Sequence, residues 1–169
     1  MRHLTKALTL GAIFAPPALA DLSVRFDEGA PKDRFSVTNT SGCALPATRI
    51  TIDIGTAPAG LVFDVTGSGA GVSVYQPFEL IAGAEALVEA PTVLDGDTAL
   101  QLNLLGLNAG ETVAFTIDVD DTAKSGRQTV VSGSEIAGAT VLAEIDSTSV
   151  SATLDQTAGT VLPLPACLS

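Results

Sequence analysis

The chain has 169 residues, with 19 acidic and 8 basic side chains, one His, two Cys, one Tyr and no Trp. Hydrophobic residues make up 46 % and aromatics 4 %, so the apolar content is aliphatic and suits one domain better than two. The single His3 falls in a leader-like segment, and a chain without imidazole excludes Ser-His-Asp and Cys-His catalysis, His-ligated zinc or haem, and a histidine proton shuttle.

Residues 1–20 carry a short basic start (Arg2, Lys6), an apolar stretch, and Pro16-Pro17-Ala18-Leu19-Ala20. Small side chains at Ala18 and Ala20 suit a signal peptidase, so cleavage before Asp21 and a secreted, extracellular or periplasmic location are expected. The apolar run is too short to span a bilayer, and Pro16-Pro17 interrupts it. Asp21 rather than a Cys directly follows the cleavage point and no paired Arg precedes it, so neither a lipid anchor nor a twin-arginine signal is expected. Without the leader the charge is 6 − 19 = −13 over residues 21–169. Such a surface repels phosphate backbones and anionic lipids, which excludes nucleic-acid binding; no later segment is apolar for long enough to insert in a membrane.

From residue 21 on, Val, Ile, Thr and Leu alternate with polar residues in short runs broken by Gly, Pro, Asn or Asp. Strands are predicted at 22–26, 34–39, 49–54, 61–65, 71–78, 86–90, 99–105, 112–119, 128–131, 140–145 and 150–154. Around residues 82–90, Ala and Glu would also suit a helical turn, but no segment shows a capped helix. Turn signals every 8 to 12 residues predict an all-β fold, a single antiparallel β-sandwich (immunoglobulin-like or jelly-roll-like) over 21–169, with extra C-terminal strands after Asp121. The Gly run at 66–71 lacks the Lys and the following helix of a phosphate cradle.

Cys43 and Cys167 form an even pair in an oxidising compartment, which favours a disulfide. That bridge would close a 124-residue loop and stabilise by about 5 kcal/mol in the chain-entropy account.

Acidic residues are the best candidate chemistry. Asp118, Asp120 and Asp121 end a predicted strand, and Asp95 and Asp97 occupy an upstream turn. Calcium takes six to eight oxygens, and Asp side chains at sandwich loops supply them; Asp118 and Asp120 would share one strand face. The EF-hand spacing is missing, and Asp is also an ordinary turn residue. Paired carboxylates suit glycoside hydrolysis too, but no pair is marked out by spacing, and a chain with one Tyr and no Trp lacks a sugar-stacking platform. Ser41, Ser132 and Ser134 lack a base partner. Asn39-Thr40-Ser41 fits a glycosylation sequon that turn chemistry equally explains. Tyr75-Gln76-Pro77-Phe78 reads as a recognition patch or as packing around an edge Pro.

Two segments, Phe35-Ser36-Val37-Thr38-Asn39-Thr40-Ser41-Gly42 and Leu107 through Ile117, resemble the strand-and-turn motifs of bacterial immunoglobulin-like modules. Residues 28–35, 75–79, 115–122 and Ser132-Gly133-Ser134-Glu135-Ile136 together resemble bacterial relatives of the sponge aggregation-factor core. That resemblance implies an extracellular adhesion or assembly module, although the flanking repeats are missing. Leu162-Pro163-Leu164-Pro165-Ala166 resembles the opening of a bacterial sorting tag whose apolar helix and basic tail do not follow here. The expected function is therefore a secreted, non-catalytic adhesion or matrix module with calcium as a candidate cofactor. Its partner would be an extracellular protein, a glycan or a second copy of the chain. A small carboxylate-dependent hydrolase and an accessory subunit of a secreted assembly are the alternatives.

Overall fold

The computed structural model describes residues 20–30, 32–68, 74–122 and 130–164. Residues 1–19 of the expected leader and Cys167 lie outside the described residues, as do half of the predicted 128–131 strand and part of the 71–78 strand. Ala20, the last residue of the expected leader, is the first residue of a strand.

Among the described residues there are eleven strands: β1 (Ala20–Asp27), β2 (Asp33–Asn39), β3 (Thr48–Asp53), β4 (Leu61–Phe63), β5 (Glu79–Ala82), β6 (Ala99–Leu104), β7 (Thr112–Ile117), β8 (Val119–Asp121), β9 (Thr140–Ile145), β10 (Thr148–Thr153) and β11 (Gly159–Leu164). All pair antiparallel. One sheet runs β11-β1-β2-β7-β5, a second runs β10-β9-β3-β6, and β4 pairs with β8. The two large sheets form the sandwich predicted from the alternation.

That alternation is the physical cause of the architecture. In β2 the burial pattern is strict, with Asp33, Phe35, Val37 and Asn39 inside. Leu22, Val24 and Phe26 line the same face from β1, and Val113, Phe115 and Ile117 from β7. Across the core, β3 contributes Ile50 and Ile52, β6 contributes Leu100, Leu102 and Leu104, and β9 contributes Val141, Ala143 and Ile145. Period-two patterning leaves each sheet one apolar face, and stacking removes both from water. Phe26, Phe35, Phe115 and Phe78 run as a ring ladder with centroids 5.1, 5.2 and 4.9 Å apart, the first three in the first sheet and Phe78 just before β5.

Several expectations need correction. The 112–119 strand breaks at Asp118, dividing β7 from β8. Residues 74–78 form no strand: Pro77 offers no N–H, and only Gln76 makes rungs, donating to the Asp64 carbonyl at 3.2 Å and accepting the Asp118 amide at 3.1 Å. The ambiguous Ala-rich region holds β5 and a 3₁₀ turn at Ala84–Ala86, entered through Gly83 at φ +80°, where an added Cβ would meet the Thr112 carbonyl at 2.8 Å. A short helix, α1 (Gly133–Ile136), carries a full capping box between Ser132 and Glu135. The C-terminal strands are built into both sheets: β9 pairs with β3, and β11, which covers part of the sorting-tag resemblance, pairs with β1.

Candidate functional site

The acidic residues converge where β7 gives way to β8 beside the end of β4. The Asp64 amide donates to the Asp118 carbonyl at 3.1 Å, continuing the β4–β8 ladder by one residue. That register sets Asp64 opposite Asp118. The Leu94–Asp97 turn closes over the same end: Asp95 accepts the Val65 and Thr66 amides at 3.0 Å each, and the Phe63 amide donates to the Asp97 carbonyl at 2.8 Å. From β2, Asp33 accepts the Val119 amide at 3.0 Å and the Gly29 amide at 3.0 Å.

Four of these carboxyls are buried: Asp33, Asp64, Asp118 and Asp120 are 1, 0, 4 and 3 % exposed. Burial pushes Asp33 up to about 7, against its two amide donors, with the charges of Asp120 and Glu28 adding to the rise. Burial likewise raises Asp118 to about 7, reinforced by Asp120, Asp33 and Asp64. Asp64 is raised by burial first and then by the Asp95 and Asp120 carboxyls within hydrogen-bonding reach. Among the described residues, neither Asp64 oxygen has a hydrogen-bond donor. Two ionised carboxylates offer no proton to each other, so Asp64 bonds its neighbours only when one group of the set is protonated.

The sequence singled out Asp118, Asp120, Asp121, Asp95 and Asp97. The structure gathers Asp118, Asp120 and Asp95 but not the other two: Asp97 uses its carboxyl on the Leu94 amide at 2.7 Å, and Asp121 ends β8 in a half-exposed position. Asp33 and Asp64 were missed, because each is a lone acid far from the others in sequence. The available signal was Asp64 itself, a single carboxylate within Leu61-Val62-Phe63-Asp64-Val65. Among the described residues, no group of three His, Cys, Asp or Glu side chains could hold a metal ion.

A second polar cluster joins β2 to two loops. Asn39 is fully buried and donates from Nδ2 to the Cys43 and Leu107 carbonyls at 2.8 Å each. Its Oδ1 accepts the Ser41 amide at 3.0 Å and the Ser41 hydroxyl at 2.6 Å. The amide is thus engaged at both ends, which explains Asn39 without a glycan. No described cysteine is a free thiol; the Cys167 end of the expected bridge lies outside the described residues. Among the described residues, no helix is long and apolar enough to cross a membrane.

The chain matches no known family model, and no curated protein or solved structure shows significant similarity to it.

Proposed function

We propose that the chain is a secreted, non-catalytic module of an adhesive or matrix assembly, closed by a bridge between Cys43 and Cys167. The observation that carries this reading is where the chain keeps its chemistry. Asp118 and Asp120, the carboxylates a hydrolase would present to substrate, are 4 and 3 % exposed, and Asp33 and Asn39 are committed to backbone groups inside the fold. Catalytic acids must reach the proton they transfer, so burial of this order favours a scaffold over a hydrolase. The leader pattern, the acidic surface and the aggregation-factor resemblance support the same reading.

Beads coated with residues 21–169 test it, with calcium and EDTA arms. Clumping that survives Asp118→Asn and Asp120→Asn supports an adhesive module, and loss of clumping in EDTA makes calcium part of it. Beads that stay dispersed in both buffers contradict it, as does a hydrolytic activity that those two substitutions abolish while the fold persists.

A further inference from the structure

Among the described residues, Asp64 is the one buried side chain whose oxygens the fold leaves without a donor. A buried carboxylate with no donor is costly, and such an orphan in a folded protein calls for a bound ion, a water or a proton.

The backbone fixes where this carboxyl sits. The Asp64 amide donates to the Asp118 carbonyl at 3.1 Å, the Asp118 amide to the Gln76 carbonyl at 3.1 Å, and the Gln76 amide to the Asp64 carbonyl at 3.2 Å. Three chain segments thus close a ring of hydrogen bonds, and the Asp64 side chain is held inside at 0 % exposure. The Asp95 and Asp120 carboxyls lie within hydrogen-bonding reach of it, one from the 94–97 turn and one from β8. Asp95 is held in place by its Oδ1, which accepts the Val65 and Thr66 amides at 3.0 Å each and folds the turn over the end of β4. The described ion pairs, Arg25 with Asp27, Lys32 with Glu79 and Arg49 with Glu144, do not include Asp64.

We propose that Asp64 and Asp95 are the side-chain ligands of a calcium ion seated between the end of β4 and the 94–97 turn. Among the described residues, no three acidic side chains come together closely enough to hold an ion by themselves. Calcium does not need three: it fills the rest of its shell with main-chain carbonyls and water, so two carboxylates anchor a site on a loop. Its charge answers a carboxyl that has no donor, and the ion ties the turn to the strand end. The assignment is independent of the adhesive reading, because a structural ion at one end of the sandwich needs no partner.

Terbium, which takes the same oxygen ligands as calcium and luminesces when a nearby Tyr is excited, tests it with residues 21–169. Tyr75 is the only Tyr in a chain without Trp, and it precedes Gln76 of the backbone ring, so sensitised emission reports on this end of the molecule. Emission should saturate at one ion per chain and be displaced by calcium. Asp64→Asn and Asp95→Asn should each abolish it, and Asp95→Asn keeps an oxygen for the Val65 and Thr66 amides. Calcium should raise the melting temperature over its EDTA value in the wild type and in neither variant. Magnesium should leave it at the EDTA value, because it demands a tight octahedron and gives up water reluctantly. Tyr75→Phe should lose the emission and keep the calcium shift. Emission that persists in both Asp variants, or a wild-type melting temperature equal in calcium and EDTA, overturns the site, as does a magnesium shift equal to that of calcium. Beads that stay dispersed while the calcium shift holds would overturn the adhesive reading alone and leave this site standing.

Discussion

The Asp33 carboxylate holds the Val119 amide at 3.0 Å across 86 residues of chain, pinning the start of β8 to β2 at the point where β7 breaks. This clamp is costly to keep charged, because Asp33 is buried beside other acids. Asp33 and Asp118 both stand near 7 in the folded chain against 3.8 when free, and Asp64 is raised as well. The folded state therefore holds these protons more tightly than the unfolded state. The stability they contribute is fully present below the free value and is lost as pH rises through about 7. In EDTA, the melting temperature should fall between about pH 4 and about pH 7 and level off above that. Asp118→Asn should flatten that slope; a melting temperature that rises over this window would contradict the assignment.

Asn39 makes four hydrogen bonds from one buried amide. Asn39→Ala leaves the Ser41 amide without its acceptor and takes one donor from each of the Cys43 and Leu107 carbonyls, and should cost about 2–4 kcal/mol in urea unfolding. Asn39→Asp should cost more, since a carboxylate would face the Cys43 and Leu107 carbonyls. Equal stability of the two variants would show that the donors of Asn39 are not what matters.

Phe115 stacks on Phe35 on one side and on Phe78 on the other. Phe115→Ala should cost about 3–5 kcal/mol by equilibrium unfolding, because it opens a cavity between the two rings it stacks on. Phe78 is half-buried, and Phe78→Ala should cost clearly less. The reverse order would mean that the aromatic layer is anchored from its rim.

The sandwich was legible because period-two alternation survives in β1, β2, β3, β6 and β9, where one face is fully buried. It failed where local chemistry overrode the pattern. Pro77 cannot supply a rung, and among the described residues of that stretch Gln76 makes the rungs. Ser132-Gly133-Ser134-Glu135 carries the reciprocal capping signature, but over a single turn with two small residues it gives no apolar periodicity to notice. β11 was obscured by Pro163, which an edge strand tolerates. The acidic site was half legible: adjacent acids such as Asp118 and Asp120 stand out in sequence, whereas Asp33 and Asp64 join them only through β2–β7 pairing and the β4–β8 ladder.

Bead clumping by residues 21–169, in calcium and in EDTA, tests the central claim most directly. The account predicts that coated beads clump and that Asp118→Asn and Asp120→Asn leave the clumping in place. Beads that stay dispersed in both buffers, or a hydrolytic activity that those substitutions abolish while the fold persists, would contradict it.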